Sequence, residues 1–161
     1  PLRIAMTTSI SSPIKVTGVT KSFDSGNIQV LRGVDLSVPR GKLVSVCGPS
    51  GCGKSTLLHI IAGIESAENG SVFIEGQPLN SEKRRLDALR HTIGFIFQLH
   101  NLIVVADEPT GALDEKTSWS VFSLLGDLVV SHGVTMIMAT HDMELAKNSD
   151  RVIQMRDGLI E

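Results

Sequence analysis

The sequence predicts an α/β fold in which a mainly parallel sheet is flanked by helices and preceded by an N-terminal antiparallel β flank. Three observations predict it. Short apolar runs alternate with helical patterns, a glycine-rich loop joins one apolar run to a helix, and another apolar run ends in two adjacent carboxylates. Strands connected through helices pair in parallel with helices on both faces. They therefore read as nearly continuous apolar stretches rather than as alternating ones.

The elements follow in order. Alternation over residues 15–23 and 29–38, with Val30, Val34, Leu36 and Val38 apolar, predicts two strands around the turn cluster Asp24 to Asn27. These strands form the expected flank of residues 1–42. Residues 43–47 predict a strand that runs into the glycine-rich loop, and 55–62 a helix stopped at Gly63. Further βα units are expected from a strand at 71–75, a charged helix at 82–90 and a strand at 92–97. A β-branched strand at 102–106, a helix at 115–131, a strand at 134–139 and a short helix at 143–147 come next. A hairpin-like pair, 151–155 and 159–161, closes around Asp157-Gly158. The whole chain, 1–161, is expected to form one domain, with 43–161 as its core.

Composition excludes several functions. With 15 basic and 17 acidic side chains the formal net charge is -2, so no whole-chain field gathers nucleic acid or anionic lipid. The longest apolar run, Leu102 to Ala106, is far short of the roughly 18 residues that cross a bilayer. Residues 1–10 carry one Arg and no apolar core with a small-residue cleavage site, so a cytoplasmic location is expected. Cys47 and Cys52 lack zinc-site spacing and are expected to be free thiols in a reducing compartment.

Two motifs carry chemistry. Gly48-Pro49-Ser50-Gly51-Cys52-Gly53-Lys54-Ser55, followed by Thr56, fits G-x-x-x-x-G-K-[ST] between a strand and a helix. In such a loop backbone N–H groups surround phosphate oxygens, Lys54 neutralises the β- and γ-phosphates, and the Ser55 hydroxyl holds Mg²⁺. A chance match in a chain this long is on the order of one in a hundred. An ordinary glycine-rich turn is the competing reading, and the flanking strand and helix weigh against it. The apolar strand that ends at Asp107-Glu108 supplies the second motif. There Asp107 is placed to hold Mg²⁺ through water and Glu108 to polarise an attacking water as general base. Two solvated acids at a strand end are the alternative.

At this point the residues resemble the nucleotide-binding subunits of ATP-binding-cassette transporters. Ala106-Asp107-Glu108-Pro109-Thr110-Gly111-Ala112-Leu113-Asp114 is similar to that family's Walker B and D-loop. The resemblance implies further roles. Gln98 stands for the Q-loop glutamine near Mg²⁺, His141 in Ala139-Thr140-His141-Asp142 for the switch histidine at the γ-phosphate, and Asp114 for the D-loop acid facing a partner subunit. Phe23 stands where the family places an aromatic against adenine, although a core Phe would look the same. Val30 to Leu36 and the Pro-Thr-Gly-Ala-Leu-Asp string look most like the lipoprotein-release and macrolide-efflux branch. Implied with these are ATP and Mg²⁺ as ligands, a transmembrane permease subunit as partner, an ATP-sandwiched dimer, and a peripheral place on the cytoplasmic face of the membrane.

One departure stands out. The family carries a helical subdomain and the signature Leu-Ser-Gly-Gly-Gln between the Q-loop glutamine and Walker B, yet only eight residues separate Gln98 from Asp107 here, and no Ser-Gly-Gly occurs. A natural shortening, an engineered one and an incomplete sequence all fit this spacing. In the family the signature of one subunit caps the phosphates held by the other. The shortened chain is therefore expected to bind MgATP at its own half-site and to hydrolyse it slowly or not at all. The rival readings are a non-hydrolysing regulatory module and a DNA-repair ATPase of the same superfamily, which the near-neutral charge disfavours. A GTPase is weaker still, for want of Asn-Lys-x-Asp.

Overall fold

The computed structural model describes residues 12–79 and 102–161. Two sheets pack on either side of one helix. The first is antiparallel and four-stranded: β1 (Ile14–Phe23), β2 (Ile28–Val38), β4 (Asn69–Ile74) and β5 (Gln77–Pro78), in the order β2-β1-β4-β5. The second has the order β6-β7-β3-β8-β9, from β3 (Leu43–Cys47), β6 (Ile103–Asp107), β7 (Thr135–Thr140), β8 (Arg151–Arg156) and β9 (Leu159–Ile160). Its first four strands are parallel, and β9 folds back antiparallel on β8.

Alternation of side chains along the central strands divides the core. Val44 and Val46 of β3, with Ile137 and Ala139 of β7, face α1 (Lys54–Ile61) and the antiparallel sheet. Leu43, Met136 and Met138 face the other way, toward Phe122 and Val129 of α2 (Glu115–His132) and Leu145 of α3 (Met143–Ala146). Helices thus cover both faces, as a parallel sheet requires. Burial of these side chains stabilises the fold by roughly 1.5–3 kcal/mol each before chain entropy opposes it.

One strand is placed differently from expectation. The strand expected at 71–75 as part of a βα unit is β4, and it joins the flank, antiparallel to β1 from Ile14↔Ile74 to Thr17↔Ser71. The flank therefore gains β4 and β5 beyond residue 42. The physical reason is amphipathicity: Val72 and Ile74 are buried while Ser71 is exposed, the pattern of a sheet with one solvated face. The helix expected at 82–90 and the strand expected at 92–97 lie outside the described residues.

Both cysteines are free and buried. Burial pushes the Cys47 thiol up against the opposing pull of the Lys54 charge, which keeps it protonated and unreactive.

A side-chain tie joins the starts of β3 and β8. Asp150 accepts from the Leu43 N–H and from Lys42 Nζ, each at 2.8 Å. Burial alone would raise this carboxyl, but the Lys42 and Leu43 hydrogen bonds and the Lys42 charge outweigh it, and its pKa is lowered. A depressed native pKa contributes stability above the unfolded value of about 3.9, and that stability is lost as pH falls through the native value. Asp150→Asn is therefore expected to melt below the parent near neutral pH, with the gap closing in strong acid. Thermal melts at both pH values check this, and an equal gap at both would contradict it.

Candidate functional site

The glycine-rich loop is built where β3 turns into α1. Gly53 serves as N-cap of α1 with φ 107°, in the left-handed region, and no side chain caps the helix. Its first N–H groups therefore have no side-chain acceptor and suit an anion. Glycine is also required at 48: a Cβ there would sit 2.0 Å from the Met155 carbonyl oxygen on β8. From behind, the Gly158 N–H donates to the Cys52 carbonyl at 3.1 Å, and the Cys52 N–H donates to that of Pro49 at 3.3 Å.

Lys54 is only 7% exposed. Its Nζ donates to the Gly48 and Pro49 carbonyls at 2.8 and 3.1 Å. A buried ammonium needs such partners. Both are neutral, so its charge is not cancelled and remains available to attract an anion.

Glu108 follows the last residue of β6 and adopts φ 47°, unusual for a residue with a side chain. Two backbone hydrogen bonds hold this conformation, from its own N–H to the Ala139 carbonyl (3.0 Å) and from the Gly111 N–H to its carbonyl (3.1 Å). The same carboxylate meets His141 at the end of β7, with Oε2 2.9 Å from Nδ1 and 3.4 Å from the His141 backbone N–H. An ionised carboxylate accepts only, so Nδ1 carries the proton in this contact, and Nε2 is left for another partner.

These residues converge. Ser50, Gly51, Gly53, Lys54, Ser55, Thr56, Glu108 and His141 line one cleft of about 440 Å³, together with Val30 of β2. It can hold a polyphosphate at the helix N-terminus with a carboxylate–imidazole pair opposite.

Other expected residues lie off its wall. Gly48, Pro49 and Cys52 support the loop from behind. Asp107 ends β6 with its Oδ2 4.0 Å from Nε2 of His59 on α1. The Ser55 hydroxyl and the Asp107 carboxylate are hard oxygen donors. Mg²⁺ takes one or two protein oxygens together with phosphate oxygens and water, so this donor pair fits it. Asp114 caps α2, accepting from the Thr117 N–H at 3.1 Å and the Thr117 hydroxyl at 2.6 Å, and these bonds lower its pKa. Phe23, at the end of β1, is 41% exposed rather than part of the core. Gln98 lies outside the described residues.

Val30 and His59 were not singled out by sequence reasoning. Val30 read as one more apolar strand residue, although its half-buried position beside the loop is what makes it a wall. His59, five residues after Lys54, is the one polar residue in the apolar run Leu57 to Ile61, and that interruption is the available signal.

Comparison with known proteins gives the family and the fold. The family model described as "ABC transporter" matches residues 31–156, a stretch that holds every cleft-lining residue except Val30. The lipoprotein-releasing system ATP-binding protein LolD of Roseobacter denitrificans is 31% identical over 222 aligned positions, covering 92% of this chain and 98% of that protein. Those 222 positions exceed the 161 residues of this chain, so the relative carries residues with no counterpart here. Among solved structures, the dimeric bacterial ABC transporter cassette MJ0796 superimposes with a TM-score of 0.82 at 26% identity, covering 92% of this chain and 96% of that one. The same cassette in a post-hydrolysis dimer with ADP and Pi gives 0.80 at 24% identity, a likeness of fold. The chain belongs to the ABC transporter family.

Proposed function

We propose that the chain is the ATP-binding subunit of a lipoprotein-releasing type of transporter, binding MgATP in its own half-site and hydrolysing it slowly. The convergence of Lys54, Glu108 and His141 on one cleft at the N-terminus of α1 carries the reading. Loop N–H groups and Lys54 hold the β- and γ-phosphates, and the adenine lies against Phe23. Ser55 and Asp107 would hold Mg²⁺, with Gln98 the further ligand that the motif order implies, and the bound ion would neutralise phosphate charge. Glu108 orients a water and accepts its proton. His141, held through Nδ1, offers Nε2 to the γ-phosphate.

Slow turnover is inferred from the eight-residue spacing between Gln98 and Asp107 and from the longer relative. Without the signature segment, no donors cap the phosphates from a second copy, and preorganised donors are usually the largest catalytic contribution. The partner in this reading is a transmembrane permease subunit, engaged from the cytoplasmic face of the membrane. Among the described residues no helix is long and apolar enough to cross a membrane itself.

Calorimetric titration with MgATP tests the binding half of the proposal. One site per chain is expected, and no heat of binding at millimolar ATP would refute it.

A further inference from the structure

Phe23 is held from one side by a cation. Lys21 and Phe23 are two residues apart on β1, across a shift in its register with β2 between Lys21 and Ser22. The Lys21 Nζ lies over the Phe23 ring, 5.1 Å from its centroid, within cation–π range. The lysine is itself fixed. Its side chain is 12% exposed, and Nζ donates to Glu65 Oε1 at 2.9 Å and to the Ser66 carbonyl at 3.0 Å.

Glu65 and Ser66 belong to the connection that leaves α1, the helix that begins at the phosphate loop. Neighbouring contacts pin the same two segments together. The Glu68 N–H donates to the Thr20 carbonyl at 3.0 Å, Ser22 Oγ donates to the Glu68 carboxylate at 2.6 Å, and Asn69 Nδ2 donates to Thr20 Oγ1 at 3.1 Å. The end of β1 is thus tied to the far end of the phosphate-loop helix.

We propose that Lys21 is a positioning residue for the nucleotide base. It occupies one face of Phe23 and fixes the ring relative to α1, so that the base stacks on the opposite face at a set distance from the bound phosphates. This inference rests on the reading that the base stacks on Phe23. Lys21 is not among the residues that line the cleft at the phosphate loop. Its effect is therefore confined to ligands that carry a base.

The test is calorimetric titration of the full chain with MgATP and with magnesium tripolyphosphate, which fills the phosphate loop but has no base. In Lys21→Met, which keeps an apolar stem and removes the charge, ATP should bind about 2- to 5-fold more weakly, with tripolyphosphate unchanged. Lys21→Arg should restore ATP affinity, because guanidinium also stacks on aromatic faces. Unchanged tripolyphosphate binding shows at the same time that the variant is folded.

Equal weakening of both ligands would overturn the proposal, since Lys21 would then be acting on the fold. So would unchanged ATP affinity in Lys21→Met. A Phe23→Leu variant separates the two readings. If it weakens ATP alone while Lys21→Met does nothing, only the role of Lys21 falls. If it leaves ATP unaffected, the stacking reading falls and takes this proposal with it.

Discussion

Lys54→Ala is expected to abolish measurable MgATP binding while leaving the fold intact. Its Nζ bonds to neutral carbonyls, so its charge is not spent on a hydrogen-bonded protein carboxylate and is available to an anionic ligand. Truncating one partner of a desolvated, hydrogen-bonded charge pair costs about 2–5 kcal/mol, or roughly 30-fold or more in affinity. The fold loses little, since the two carbonyls lie in an exposed loop that water can reach. Titration with MgATP beside a thermal melt checks both halves. Retained affinity would show that phosphates are held elsewhere.

Gly48→Ala is expected to damage both binding and stability. The added Cβ would meet the Met155 carbonyl oxygen at 2.0 Å and Cys52 Sγ at 2.9 Å. The first of these is backbone of a central strand and cannot rotate away. The loop must lift off β8, at a cost of about 1–3 kcal/mol in overpacking. Its displacement also moves the carbonyl that holds Lys54, so affinity for ATP should fall by at least tenfold, on the order of the loss of one well-made charged contact. A melt and a titration on the same sample measure the two effects, and a variant as stable as the parent would contradict the close approach.

The legible parts of the site were those written locally. Residues 48–56, a loop and the first turn of α1, carry a motif written in consecutive residues, and Asp107-Glu108 come at the end of an apolar strand, so both could be read without knowing what packs where. The Glu108–His141 contact joins residues 33 apart in sequence, and only the parallel pairing of β6 with β7 brings the two strand ends side by side. Motif order suggested both residues, but no pattern disclosed the hydrogen bond or the positive φ of Glu108.

The fold shows the same division. Strand periodicity located β4 within two residues, while its partner depends on which apolar face it can share. Val72-Phe73-Ile74 is a continuous apolar run in the sequence, which fits a strand covered on both faces, and the wet face shows only in the structure, where Ser71 is exposed and Phe73 half-buried. Asp114 shows what a motif leaves unsaid. The sequence motif points to a partner-facing acid, and the structure gives it a local task as the cap of α2.

The proposed half-site holds MgATP and hydrolyses it slowly or not at all. The most direct test is to incubate the purified chain with radiolabelled MgATP, remove free nucleotide rapidly, quench in acid, and identify what remained bound. The account predicts close to one intact ATP per chain, with little ADP or phosphate after many minutes. Bound ADP with stoichiometric phosphate release, abolished by Glu108→Gln, would contradict it and show that this chain completes its catalytic site without the missing segment.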